Sequence, residues 1–180
     1  MSSARGGDRN EIRSRRENEL AGLYEEYYVR IARYAFVHIG DRADSEDLAG
    51  EVFLKALKSL ASYQERGVPM QAWLFKIAHN LVVDYLRKKA KIKAQAADME
   101  MLPVADDDPI KEAETKIRME KVADAMKRLT SDQRQVVSLR FLSGLASKEV
   151  AQIMNRSDGA VREMQRAAIE KLRAMLAAEA

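Results

Sequence analysis

Residues 67–89 read GVPMQAWLFKIAHNLVVDYLRKK, one stretch that carries two opposed helical stripes. Leu74, Ile77, Ala78, Leu81 and Tyr85 recur at helical spacing and form the apolar face of a packed helix. Lys76, Asn80, Val83 and Arg87 recur on the other side, and Arg87 runs on into Lys88 and Lys89. An amide set among cations suits simultaneous contact with base edges and phosphates. The stretch therefore implies a helix with one side in a core and the other suited to nucleic acid.

The rest of the composition sets bounds on this reading. With 180 residues the chain is one ordinary domain or two small ones, and 47% apolar residues allow a packed core. The net charge is only +3, but it is unevenly placed. Between Gln71 and Lys93 six cations (Lys76, Arg87, Lys88, Lys89, Lys91, Lys93) stand against Asp84, a net of +5. Between Asp98 and Asp108 there are five acids and no cation. Such segregation points to a polyanionic partner for the basic part, beside the plainer reading that lysines after a helix only solvate it. The chain has no cysteine, which excludes disulfides and thiolate zinc sites. His38 and His79 are the two histidines, too few for a metal centre. No glycine-rich phosphate loop and no convergent carboxylates occur, so no enzyme, cofactor or small-molecule substrate is expected. No run of about 18 apolar residues is present, so no membrane-spanning helix is expected. The opening MSSARGGDRNEIRSRR lacks a signal peptide's apolar centre and reads as a disordered basic lead-in, so a cytoplasmic protein is expected.

Glycine (8) and proline (3) are scarce, strand-like alternation is almost absent, and helical periodicity fills most of the chain. The predicted fold is all-α, with helices near 17–38, 45–60, 70–93, 110–128, 131–142, 147–154 and 158–177. Residues 94–110 hold Pro103, Pro109 and the acidic cluster without apolar periodicity, and read as an extended, mobile linker. The expected organisation is a first helical domain over 15–93, a linker over 94–110 and a second helical domain over 111–180.

In the first domain Leu20, Leu23, Tyr24, Tyr27, Ile31, Tyr34 and Ala35 supply a core stripe, ended by Gly40-Asp41. Asp44 or Ser45 is expected to cap the next helix, with Leu48, Val52, Leu57, Phe53 and Leu60 facing inward. Trp73, on the border of the two stripes of its helix, reads as core before it reads as a stacking platform. In the second domain, Thr130 or Ser131 caps a helix with Val136, Val137, Leu139 and Phe141 inward, and Ser143-Gly144 breaks it. Ser147 is expected to cap KEVAQIM, Asn155 to take a left-handed turn, and Ser157 to cap a long last helix buried through Val161, Met164, Ala168, Leu172 and Met175. A two-turn helix, a tight turn and a longer helix form a helix-turn-helix. Arg162, Arg166 and Arg173 share the outer face of the last helix, where arginine reaches guanine edges, and Ser157 at the helix N-terminus can hold a phosphate.

Both parts resemble one family. The 67–89 stretch is similar to the promoter-melting region of bacterial extracytoplasmic-function (ECF) sigma factors. LYEEYYVRIARYAFVHIGDRADSEDLAGEVFLKAL resembles the family's polymerase-docking helices, and LTSDQRQVVSLRFLSGLASKEVAQIMNRSDGAVREMQRA resembles its −35-reading domain. The likeness runs from Leu20 to Leu176 in the right order. It implies a protein that binds core RNA polymerase and directs promoter recognition and initiation, commonly held by an anti-sigma factor that is often membrane-bound. By resemblance, Asp47, Leu48, Glu51 and Phe53 meet polymerase; for Leu48 and Phe53 a core role stands equally open. Asn80 contacts bases at −10, Lys76, Arg87 and Lys88 hold phosphates, and Tyr63 stacks in the wall of a pocket for a flipped base. Gly50 departs from the family's usual glutamine, Ala146 from the serine of its GLS turn, Asn155 from glycine and Ala167 from a common basic residue. A sigma mimic that sequesters an anti-sigma factor is the alternative, and it predicts loss of the basic face. A helix-turn-helix repressor would leave the first domain unexplained.

Overall fold

The structure is a computed structural model that describes residues 4–64, 67–95 and 111–178. The described residues are helical with no strand: α1 (Ala4–Ile39), α2 (Arg42–Ser59), α3 (Met70–Gln95), α4 (Lys111–Lys127), α5 (Ser131–Val137), α6 (Ser147–Met154) and α7 (Asp158–Ala178). A 3-10 turn follows α2 at Leu60–Ser62, and α5 widens into a π turn at Ser138–Leu142. The expected linker falls outside the described residues except for Ala94 and Gln95, which continue α3.

α1 begins near residue 4, not 17, and is 36 residues long. The lead-in expected to be disordered has no proline, and Arg13 and Glu17 pair one helical turn apart at 2.9 Å, so nothing interrupts the helix before its apolar stripe. Gly40, at φ +77°, ends it as expected. Asp41 then caps α2, its carboxylate accepting from the Asp44 N–H at 2.9 Å. The cap thus falls three residues before the expected Asp44, and Ser45 is buried instead.

Three further expectations change. Leu57 and Phe141 lie outside, 52% and 60% exposed. The cause at Phe141 is the π turn, which rotates the residue off the Val136–Leu139 stripe. Ser147 is the first residue of α6 rather than its cap. Ala146 holds the cap position; it has no oxygen to offer, and only the returning bond is made, from its N–H to the Glu149 carboxylate at 2.6 Å. Asn155 takes the left-handed conformation as read, at φ 52° and ψ 48°, and Thr130 caps α5 in a box with Gln133.

The two helical groups, α1–α3 and α4–α7, do not present separate surfaces. Ile31, Tyr34, Leu74, Phe75 and Ala78 belong to the same buried cluster as Val136, Leu139, Val150, Ile153 and Val161. A smaller cluster places Val37 of α1 among Met126, Leu129, Val137 and Ala168. The C-terminal half of α1 is therefore covered from both groups.

Gly50 lies inside α2, and a Cβ there would meet nothing within 4 Å. Gly50→Ala is expected to raise the unfolding free energy by about 1 kcal/mol, read as a higher midpoint in urea at unchanged slope.

Candidate nucleic-acid interface

Along the outer edge of α3, Asn80, Arg87 and Lys88 are exposed. Arg87 Nη1 sits 3.4 Å from Asp84 Oδ1, a contact too long and too solvated to hold it. Tyr85 anchors this end of the helix: its hydroxyl donates to Asp44 Oδ2, and burial followed by that bond pushes its pKa up to about 12. Lys89 lies 5.6 Å over the Tyr85 ring.

Two residues expected beside them are engaged elsewhere. Lys76 is half-buried, and its ammonium donates to the Ile153 carbonyl of α6 at 2.6 Å. Tyr63 is only 7% exposed: its hydroxyl donates to the Val68 carbonyl at 2.9 Å and its ring lies against Trp73, centroids 4.9 Å apart. Arg16 of α1 covers the ring at 5.8 Å. The ring cannot stack on a base from this position; it braces the turn before α3. Half-buried Trp73 packs against the core as read.

On α7 the three arginines are all exposed along one face. Arg162 pairs with Asp158 at 2.9 Å, and Arg166 with Glu163 at 2.5 Å and Glu170 at 2.7 Å. The Arg166 bond holds the Glu163 carboxyl below its ordinary range. These are helix-surface pairs in water, so they orient the guanidinium groups without binding them firmly. Ser157 Oγ accepts from the Ala160 N–H at 3.1 Å and starts the helix. Arg140 fixes the mount of α7, its Nε donating to Gln165 Oε1 at 2.9 Å while Nη1 donates to the Leu145 carbonyl.

The set expected to meet polymerase divides. Asp47 and Glu51 are exposed. Leu48 and Phe53 are core, with Phe53 packed edge-on to Tyr24 at 4.8 Å. What stands outside is Leu54, 58% exposed, and Leu57, which with Tyr24 and Gly50 line a groove of about 440 Å³ between α1 and α2. Sequence reasoning passed over Leu54 and placed Leu57 inward. The available signal was surplus: α2 carries more apolar positions than one face can bury, and Gly50, Leu54 and Leu57 recur at helical spacing.

No helix among the described residues is long and apolar enough to cross a membrane. Among the described residues no group of three or more His, Asp or Glu side chains could hold a metal ion.

Residues 23–92 match the family profile of sigma-70 region 2, and residues 125–174 match that of sigma-70 region 4. The chain is 33% identical to the ECF RNA polymerase sigma factor BldN of Streptomyces coelicolor, over 86% of this chain but only 59% of that protein. It is 31% identical to the ECF sigma factor SigD of Mycobacterium bovis, over 96% of this chain and 80% of that protein. The fold resembles the sigma factor RpoE in its complex with the anti-sigma factor NepR from Bartonella quintana, with a TM-score of 0.71, 20% identity, and coverage of 88% of this chain and 96% of that one. With α2 and most of α3 inside the first match, and α5, α6 and most of α7 inside the second, the chain belongs to the ECF RNA polymerase sigma factor family.

Proposed function

We propose that the chain binds core RNA polymerase, directs it to promoters and opens them, catalysing no bond change itself. The observation that carries this is the pairing, in one chain, of the exposed Asn80–Arg87–Lys88 row on α3 with the arginine face of α7. Residues 15–93 act on polymerase and on the −10 element, and 111–180 read the −35 element as duplex, with 94–110 between them. On α3, Asn80 contacts bases while Arg87 and Lys88 follow the backbone, with Lys76 joining them once it leaves Ile153. On α7, Arg162, Arg166 and Arg173 face the groove, with Ser157 near a phosphate. Asp47 and Glu51 of α2 meet polymerase together with Leu54 and Leu57, which replace the buried Leu48 and Phe53 in that role. The groove beside Leu57 is apolar with Glu17 at its edge, and exposed apolar area of this kind marks an interface centre. A sigma mimic would have no use for the cationic row. An anti-sigma factor, such as the one that accompanies RpoE of Bartonella quintana, is a further partner. The protein works in the cytoplasm, where its DNA is.

The deciding experiment adds purified protein to core polymerase and maps transcript 5′ ends; no start-site selection refutes the reading. In the same system Asn80→Ala is expected to shrink the permanganate-reactive bubble while co-elution with polymerase persists. Leu57→Asp is expected to abolish co-elution, and the bubble with it, by placing a charge in the docking groove. Arg162→Ala is expected to weaken binding to −35 duplex by about 1–3 kcal/mol and to relax preference at one base pair, measured by competition between single-base variants.

A further inference from the structure

Both histidines of the chain lie where the two helical groups meet. Tyr34 of α1, fully buried, donates to Gln135 Oε1 of α5 at 2.7 Å. His79 Nδ1 of α3 lies 3.2 Å from the same Oε1 and 3.3 Å from the Tyr34 hydroxyl. An amide oxygen only accepts, so Nδ1 carries the proton in this arrangement. His38 Nε2 of α1 is 2.9 Å from Ser138 Oγ, whose own hydrogen goes to the Gln135 carbonyl at 3.1 Å, so Nε2 is the donor there. Each ring thus needs one proton, on the nitrogen that faces the seam, to make these bonds.

The surroundings disfavour a second proton. Arg134 of α5 and His79 act on His38, and Lys76 acts on His79; every one of these is cationic or becomes so on protonation. α1 adds the Tyr34 ring, 4.9 Å from that of His38. α4 and α7 bring Met126 and Ala168 beside Val37. The acid nearest the seam from α6, Glu149, acts on Tyr27. Burial, then Arg134, pushes His38 down to about 3, and burial lowers His79 as well.

The same seam takes Lys76 out of the row on α3 proposed to meet DNA. The Lys76 ammonium is satisfied by a carbonyl in the last turn of α6, the negative end of that helix, in place of a phosphate.

We infer that the contact of α1 and α3 with α5 and α6 is a proton-sensitive latch, which at neutral pH holds the two helical groups together and keeps Lys76 from the −10 row, and which releases both on acidification. The masking rests on the promoter-binding reading above; the latch itself does not. The sign follows from linkage: a group whose pKa is lowered by closure stabilises the closed form above its ordinary pKa, and that stability is lost as pH falls. From the ordinary 6.5 and the lowered 3, His38 alone shifts the closed-to-open ratio about tenfold between pH 7.5 and 5.5.

The chain has no cysteine, so Lys58→Cys on α2 and Lys171→Cys on α7, both exposed, accept a pair of spin labels cleanly. Distance distributions of the free full-length chain are expected to show one short population at pH 7.5 and a growing longer one towards pH 5.5. His38→Phe with His79→Gln is expected to remove that pH response. Gln135→Glu, which places a carboxylate beside His79, is expected to keep the short population at acid pH. An unchanged distribution at pH 5.5 in a chain whose helicity is intact, or a Gln135→Glu chain that opens like the parent, overturns the latch. Binding of a fluorescent single-stranded −10 oligonucleotide is followed in parallel. Opening without any gain in binding would leave the latch standing and refute the assignment of the α3 face.

Discussion

A phenol hydroxyl withdrawn from water must find an acceptor, and Tyr34 finds its acceptor 101 residues away, on Gln135. That bond cannot form within the first helical group. Burying Tyr34 raises the energy of its ionised form, so it stays a neutral donor, and Gln135 is 5% exposed, so its side-chain oxygen has no water to turn to. Leaving either group unpaired would cost about 1–3 kcal/mol. The rest of the architecture is arranged around satisfying this pair.

α1 is the element that makes this possible. Its C-terminal half puts Ile31, Tyr34 and Ala35 into the larger cluster and Val37 into the smaller, so consecutive turns are buried by different partners. α3 is treated likewise: Leu74, Phe75, Ala78 and Val82 are buried, while Lys76 and His79 are turned to the second group. Along the covered part of α3 Asn80 is left on the outer edge, while Arg87 and Lys88 continue the row in the last turns, where the helix is exposed from Leu86 onward. The closed arrangement thus divides the face of α3 that its periodicity shows as continuous into a part used within the molecule and a part offered outside it.

Most elements were legible in the sequence because their signals are local. Proline-free periodic stretches, Gly40 ending α1, the Thr130 box and the left-handed Asn155 each depend on a few adjacent residues. The recognition helix was legible for the same reason: Ser157 as cap, Val161 and Ala168 inward, arginines outward. What escaped was set by partners distant in sequence. Periodicity shows that Phe53 and Leu57 lie near a boundary of α2, but only the position of Tyr24 decides that Phe53 goes in and Leu57 stays out. Tyr63 looked free because its acceptor is a backbone carbonyl, which no side-chain pattern announces. The π turn that expels Phe141 has no residue signature, and Arg140 reaching the Leu145 carbonyl becomes visible only once the turn is formed.

The ion pairs along α7 assign two tasks to two helices. Between Asp158 and Arg173 four cations (Arg162, Arg166, Lys171, Arg173) meet three anions (Asp158, Glu163, Glu170), a net of +1. The end of α3, from Arg87 to Lys93, carries five cations and no anion. Long-range attraction to a phosphate chain grows with net charge, so in the proposed function α3 would supply the capture and its sensitivity to ionic strength. A nearly neutral α7 adds little pull towards random sequence. Its arginines would leave their carboxylates only for an acceptor of better geometry, so in the proposed function the helix would select among sites that the other has already drawn close.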